Sequence, residues 1–397
     1  MAAVALGVVG ASAVGLVAFN VWDAANSLAA NAVVIGKDKP LPPSLGAIEG
    51  GVNLLVVGTD SCEGANASLS GACQNGDTAG ERNDVTMLVH ISDEPRRVTV
   101  VSFPRDMVVP IPSCPTEDGS GSYSAMSAQM LNASYQYGGL ACTVLTIEEL
   151  IGDDIDFAAA IRWTGVINMS DAIGGVDVCV AGDVNDPHTG LSLTAGTHTL
   201  QGVEALQFLR MRHGIGDGSD LGRISNQQQF MSSLVRKLQS DSVLANPTVL
   251  LNLATTAISQ VQKQQLVLSQ SLANPTLMVQ IAMAVKDVPY EDIVFVQYPT
   301  AYSSGYSRVV PVTEAADVLF TALRENKPLA LTGEASQGYG VEVTGEAAKP
   351  TPSATATPDP TGSAAPGETP VAEERVDLPS DIAGQTAAQT TCTVPQR

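Results

Sequence analysis

The sequence predicts a layered α/β domain. Three observations carry that expectation. Short β-branched runs end in glycine or turn residues, stretches with helical apolar spacing alternate with them, and hydrophobic residues make up 44% of the chain. That content is too high for wholesale disorder. Aromatic residues are only 4%, so the core must be built mainly from Val, Leu, Ile and Ala.

The elements follow in chain order. Val52–Gly58 (VNLLVVG) is an apolar run ended by glycine, the pattern of a buried strand. Val85–Ile91 and Arg97–Phe103 repeat it, separated by the turn Asp93-Glu94-Pro95-Arg96, so the three runs suit adjacent strands of one sheet. Ala141–Ile151 reads as a helix, and Gly165–Ile173 as a second one closed by Gly174-Gly175. Val176–Val180 is a strand and Val203–Met211 a helix. Leu221–Leu238 is a long amphipathic helix, with Ile224, Phe230, Met231, Leu234 and Leu238 on or near one face. Pro247–Gln262 and Pro275–Val285 each follow an asparagine, an N-cap and first-turn proline in sequence. Ile293–Tyr298 is a late strand and Val312–Glu325 a last helix. Mixed elements of this kind pack as layers.

Both ends of the chain differ from this middle. Residues 2–22 carry no charge. As a helix at ~1.5 Å per residue they would span about 31 Å, the depth of a bilayer core. Residues 1–22 are therefore expected to be a transmembrane anchor, followed by a linker over 23–47 and the folded domain over 48–331. The first basic residue is Lys37, so the distribution of Lys and Arg cannot orient the anchor. Residues 332–397 turn rich in Ala, Thr, Pro, Gly and Ser. That composition buries too little apolar surface to offset ordering entropy, and a disordered tail is expected. Six cysteines without a CxxC pattern, behind an export segment, suggest disulfides in an oxidising compartment and not a zinc site. Cys62–Cys73 and Cys114–Cys142 are the favoured pairs; Cys179 and Cys392 could instead be free buried thiols.

Charge narrows the function classes. With 41 Asp+Glu against 20 Lys+Arg the formal charge is −21, so no nucleic-acid partner is expected. The few arginines are then informative. Arg82, Arg105, Arg210, Arg212 and Arg223 fall in loop-flanked segments at strand or helix ends, with Asp84, Asp106, Asp217 and Asp220 close by in sequence and Asp60 just after the first strand. Guanidinium forks match phosphate oxygens two at a time. Carboxylates at the same place make sense if Mg²⁺ is shared between them and phosphate. The set suits phosphoryl transfer; the competing reading is ordinary surface pairs such as Arg105–Asp106 and Asp220–Arg223. No GxxxxGK[ST] and no GxSxG occurs, which excludes a P-loop ATPase and removes the signature of a serine hydrolase.

At these segments the sequence resembles the LytR-CpsA-Psr family of bacterial cell-envelope proteins. The matching stretches, in the family's order, are NLLVVGTDS (53–61), RNDVTMLVHI (82–91), VTVVSFPRDMVVPIP (98–112), LNASYQYGG (131–139), AIGGVDVCV (172–180) and the long run 190–238 that contains FLRMRHG and LGRISNQQQF. The resemblance implies a three-layer fold: a central mixed sheet flanked by helices, with a hydrophobic channel for a polyprenyl chain. It implies transfer of a glycopolymer from a polyprenyl-pyrophosphate carrier to peptidoglycan at the outer face of the cell membrane. By motif, Arg82, Arg105, Arg210, Arg212 and Arg223 would hold the pyrophosphate, Gln227 would lie near the head group, and Asp60 and Asp84 would bind Mg²⁺ (or Mn²⁺). Asp106 is the candidate base. Two positions depart from the family pattern and remove positive charge: Asn226 replaces a basic residue, and Met130 replaces a lysine. The Ala/Gly/Val-rich, lysine-poor composition suggests an actinobacterial source. Two alternatives use the same residues: a polyprenyl-pyrophosphate pyrophosphatase, and a non-catalytic polyprenyl-phosphate-binding envelope protein.

Overall fold

The computed structural model describes residues 28–36, 51–62, 64–76, 80–116, 120–240, 243, 246–303, 308–347 and 374–396. The anchor expected over 1–22 lies outside these residues. Among the described residues, no helix is long and apolar enough to cross a membrane.

The strands that carry the argument are β1 (Val52–Thr59), β2 (Asn83–Ile91), β3 (Val98–Phe103), β4 (Phe157–Arg162), β5 (Val176–Val180), β6 (Gly196–Leu200), β7 (Leu266–Leu268), β8 (Ile293–Gln297), β9 (Val341–Glu346), β10 (Gly384–Thr386) and β11 (Gln389–Thr393). The longer helices are α1 (Ala133–Ile151), α2 (Trp163–Ala172), α3 (Gly202–Arg210), α4 (Asp220–Gln239), α5 (Pro247–Gln262), α6 (Pro275–Lys286) and α7 (Thr313–Arg324). The main sheet has seven strands in the order β7-β4-β1-β2-β3-β8-β10. It is mixed: β1 pairs parallel with β4 and β3 parallel with β8, while β2 runs antiparallel between β1 and β3. The carboxyl ends of β1, β3, β4 and β8 therefore share one edge with the start of β2, and ligands of such sheets lie at that edge.

Strand alternation separates two cores. Leu55, Val57, Leu88, Val101 and Phe103 face α1 and α7. Val52, Met87, Val98, Val100, Phe157 and Phe295 face the other side, where Met231 and Val235 of α4, Val261 of α5 and Leu277 of α6 pack. The helical spacings of the sequence are met closely. Asn246 and Asn274 cap α5 and α6, each side chain accepting from two backbone N–H groups. Gly174 and Gly175, both at positive φ, follow α2. Helix α1 starts earlier than expected, running through a kink at Gly138-Gly139.

The tail expected to be disordered over 332–397 is corrected at both ends. Strand β11 pairs antiparallel with β9 and touches β5, giving a second sheet in the order β6-β5-β11-β9, and β10 closes the main sheet beside β8. The composition misled because these strands are Thr- and Gln-rich. They are held by pairing and by a Cys179–Cys392 disulfide, not by an apolar face. Residues 348–373 lie outside the described residues. Cys62–Cys73 and Cys114–Cys142 are also paired, and no free cysteine remains. Part of the expected linker is packed too: Leu28 is buried, and the Val33 N–H donates to the Leu268 carbonyl at 2.8 Å.

Candidate active site at the head of an apolar cavity

Helix α4 sets the geometry. Arg223, Gln227, Phe230, Met231, Leu234 and Leu238 recur at i, i+4, i+7, i+8, i+11 and i+15, so they form one stripe. All six line a cavity of about 1200 Å³. The stripe runs from a cation through an amide to purely apolar side chains. Ile224 is buried but does not line the cavity. The opposite face of α4 is polar and equally buried. Gln229 donates to the Cys179 carbonyl at 2.8 Å, and Gln297 donates to Ser225 at 2.8 Å. Partners on that face come from both sheets, Cys179 from the second and Gln297 from β8 of the main one, which lets a polar helix sit between two layers.

The rest of the cavity wall comes from Val56 and Met87 of the main sheet, Trp163, Val166 and Met169 of α2, and Ile258 of α5. Leu251 of α5 and Val279 of α6 line it and are 64% and 62% exposed, so the cavity opens to solvent between those helices. Its polar end is formed by Thr59, Asp84, Arg210, Arg223 and Gln227.

At that end the charged groups interlock. Arg105, just after β3, pairs with Asp84 of β2 at 2.7 Å. Arg223 pairs with Asp220 at 2.6 Å and donates to the Asp84 carbonyl at 2.9 Å. Asp220 also lies 3.7 Å from Arg105, as does Asp106. Burial disfavours the Asp84 carboxylate, but Arg105 and Arg223 outweigh it and hold its pKa below the ordinary value. Asp60 goes the other way: burial and the neighbouring Asp84 carboxylate push it up to about 7. Its Oδ1 accepts from the Arg82 backbone N–H at 2.7 Å. The Nε atoms of Arg105 and Arg223 are buried with no hydrogen-bond acceptor among the described residues. Unpaired buried guanidinium donors are what an anionic oxygen would satisfy.

Not every expected residue joins this cluster. Arg210 does, at the cavity's polar end; its guanidinium lies 4.0 Å over the Trp163 ring. Burial lowers its pKa, against the pull of Asp84 and Asp60. Gln227 is buried with its amide donating to the Leu209 carbonyl at 2.8 Å. The Arg82 side chain instead turns to Gln136 at 3.1 Å. Arg212 donates from Nε to the Gly218 carbonyl at 3.0 Å, and the buried Asp186 carboxylate accepts from its backbone N–H at 3.0 Å. Among the described residues Arg212 makes no ion pair with Asp84 or Asp220. Among the described residues Asp106 meets the cluster through Arg105.

Sequence reasoning named Asp220 only as a carboxylate near the arginines, and did not single out Trp163 or the Glu81–Arg162 pair, whose guanidinium meets both carboxylate oxygens at 2.9 and 2.7 Å beside Thr59. Trp163 could have been singled out as one of only two tryptophans. The Asn226 departure has a structural reason. Its side chain is buried, donating to the Phe208 carbonyl and accepting from Thr393 of β11. A cation there would be buried against a neutral network.

A family model described as the LytR_cpsA_psr family matches residues 21–325. The chain belongs to this family. Among curated proteins it is similar to the cell wall biosynthesis protein LcpA of Corynebacterium glutamicum, 29% identical over 227 residues, covering 52% of this chain and 44% of that protein. It is also similar to the polyisoprenyl-teichoic acid–peptidoglycan teichoic acid transferase TagU of Bacillus cereus, 31% identical over 176 residues, 44% of this chain and 53% of that protein. The chain thus spans about half the length of the curated relatives it matches. Among solved structures, TagT bound to LIIa-WTA aligns with a TM-score of 0.52 at 19% identity, covering 74% of this chain and 98% of that one. That likeness establishes the LytR_cpsA_psr fold, a central mixed sheet with helices on both faces.

Proposed function

We propose that this protein transfers a glycopolymer from a polyprenyl-pyrophosphate carrier onto peptidoglycan. The observation that carries the reading is the cavity of about 1200 Å³, apolar along its length and ending at Asp84, Arg210, Arg223 and Gln227. One amphiphile with a long hydrocarbon chain and an anionic head suits both ends at once. The transferase relatives are named for polyisoprenyl-linked teichoic acid and peptidoglycan, which supports the same substrate class.

In this mechanism the chain's residues supply positioning and charge. Arg105, Arg210 and Arg223 hold the pyrophosphate oxygens, with Arg82 and Arg212 at the margins and Gln227 at the neck. Asp84 and Asp220 fix the guanidiniums. An acceptor sugar hydroxyl bonds to the phosphorus carrying the polymer, the bond from that phosphorus to the bridging oxygen breaks, and polyprenyl phosphate leaves. Asp106 is the candidate acceptor for the hydroxyl proton. Asp60 and Asp84 fit a Mg²⁺ (or Mn²⁺) ion, because these two neighbouring, partly buried carboxylates repel one another and a dication would relieve that repulsion. When bound, the ion would neutralise pyrophosphate charge. With water in place of the sugar, the same site would act as a pyrophosphatase.

The uncharged, apolar stretch over residues 2–22 and the three disulfides support reading the protein as a single-pass cell-membrane protein with its domain outside the cytoplasm. The test is incubation of the full chain with a polyprenyl-pyrophosphate-linked oligosaccharide and Mg²⁺. Polyprenyl monophosphate should be released, and EDTA or Arg105→Ala should stop it. Absent release would favour a binding protein, and release unchanged by Arg105→Ala would place the chemistry outside this cluster.

A further inference from the structure

Aromatic side chains are scarce in this chain, at 4%. Among the described residues three tyrosines are exposed: Tyr123 at 42%, Tyr302 at 49% and Tyr339 at 64%. Tyr302 and Tyr339 come from different segments, yet both flank the Asp217–Ser219 turn that leads into α4. Tyr302 ends the strand Thr300–Tyr302, and its hydroxyl meets the Ser219 side chain with Asp217, Arg212 and Asp220 around it.

Tyr339 belongs to the turn Gln337–Tyr339, whose backbone is fastened to the same place. The Asp217 N–H donates to the Gly338 carbonyl at 3.0 Å. A Cβ added to Gly338 would stand 2.6 Å from Ser219 Oγ and 2.9 Å from Asp217 Oδ1, so only glycine permits this approach. Tyr339 itself has φ of 54°, a region a bulky side chain rarely adopts unless its surroundings hold it there.

This rim adjoins the phosphate-binding cluster. Asp220 follows the turn directly and lies 2.6 Å from Arg223 and 3.7 Å from Arg105. Neither tyrosine lines the apolar cavity, so the rim lies outside the lipid pocket. Its chemistry is mixed: exposed aromatic rings beside a guanidinium and an exposed carboxylate. Aromatic faces stack on the C–H faces of pyranose rings, and Arg and Asp hydrogen-bond hydroxyl and amide groups. A polyanion is disfavoured by Asp217 and by the net charge of −21. An apolar partner is disfavoured by the charges of Asp217 and Arg212 around Tyr302.

We propose that Tyr302 and Tyr339, with Arg212 and Asp217, form the acceptor subsite, binding a β-linked N-acetylated oligosaccharide of the kind that makes up glycan strands. The proposal rests on the transfer reading and names where its second substrate sits. It also gives the Arg212 guanidinium a place, since its Nε donates to the Gly218 carbonyl of this turn.

The test uses the full chain and a β-1,4-linked N-acetylglucosamine tetramer as probe. Binding is measured by calorimetry and saturation-transfer NMR for the wild type, Tyr302→Ala, Tyr302→Phe and Tyr339→Ala. Each alanine variant should weaken binding about tenfold, the loss of roughly one good contact. Tyr302→Phe should stay near the wild type. Melting temperature and acceptor-independent hydrolysis of a polyprenyl pyrophosphate should not change. No tetramer binding by the wild type, binding within twofold of it in both alanine variants, or a loss that tracks melting temperature would overturn the subsite. Tyrosine-dependent binding without any transfer or hydrolysis would keep the subsite and sink the transfer reading. Normal transfer with tyrosine-independent binding would do the reverse.

Discussion

Replacing Arg223 separates a binding role from a structural one, because the structure gives it both. Its side chain is 6% exposed and that of its partner Asp220 9%, with 2.6 Å between them. Arg223→Met keeps most of the volume and leaves the Asp220 carboxylate buried, with only Arg105 at 3.7 Å as cationic company. Breaking a buried pair from one side costs about 3–5 kcal/mol. Arg105 shares the charge, so the lower end, about 3 kcal/mol, is expected. For a domain of this size that corresponds to a fall of roughly 6–12 °C in melting temperature. Adding Asp220→Asn should recover most of that loss, since the buried carboxylate left without its partner is then gone while Asp84 and Arg105 keep one another. Turnover should stay lost in both variants, because the donor facing the head group is gone. Arg212→Ala, whose Nε holds only the Gly218 carbonyl, should lower turnover with little change in melting. Calorimetric melts and phosphate release measure both quantities. An unchanged melting temperature for Arg223→Met, or recovered turnover in the double variant, would refute the reasoning.

Three further outcomes follow from other parts of the molecule. Ala257→Trp, in the cavity wall, should raise the KM for a long polyprenyl pyrophosphate at least tenfold while leaving inorganic pyrophosphate binding unchanged; equal effects on both would argue against a lipid channel. Reduction should lower stability, and Cys392→Ser alone by about 2–5 kcal/mol, since Cys179–Cys392 ties residues 213 apart in sequence; mass spectrometry that finds alkylatable thiols in the native protein would contradict the pairing. His90 is buried, and burial lowers its pKa to about 4. Its folded value lies below the unfolded one near 6.5, so the unfolded chain binds the proton more readily. Stability should be full above pH 6.5 and fall by up to about 3 kcal/mol as pH drops towards 4. Denaturant melts at several pH values should show that slope reduced in His90→Gln.

Periodicity is legible where one face of an element is apolar. The spacing of Phe230, Met231, Leu234 and Leu238 marked an apolar face of α4, which the structure turns to the cavity, while Ile224, read as part of the same face, packs outside it; the asparagine–proline pairs marked the starts of α5 and α6. The other half of α4 was not legible. Gln229 is buried against a second sheet completed by the distant β11, and Gln228 against Ser102 of β3 in the main sheet. The same fact hid β11: a Thr- and Gln-rich strand carries no apolar alternation. At the site, motif positions located Asp84, Arg105, Arg210 and Arg223 together. They could not say that Arg82 points to Gln136, or that Arg212 belongs to the Asp217–Ser219 turn, because side-chain direction depends on neighbours far along the chain.

The central claim is that one cavity seats a polyprenyl chain while the arginine cluster at its head handles the pyrophosphate. The most direct measurement is product analysis after the full chain meets a polyprenyl-pyrophosphate-linked glycan, Mg²⁺ and peptidoglycan. The account predicts polyprenyl monophosphate and a glycan joined to peptidoglycan through a phosphodiester, both lost in Arg105→Ala. Unchanged lipid substrate from a correctly folded, disulfide-bonded protein would contradict it.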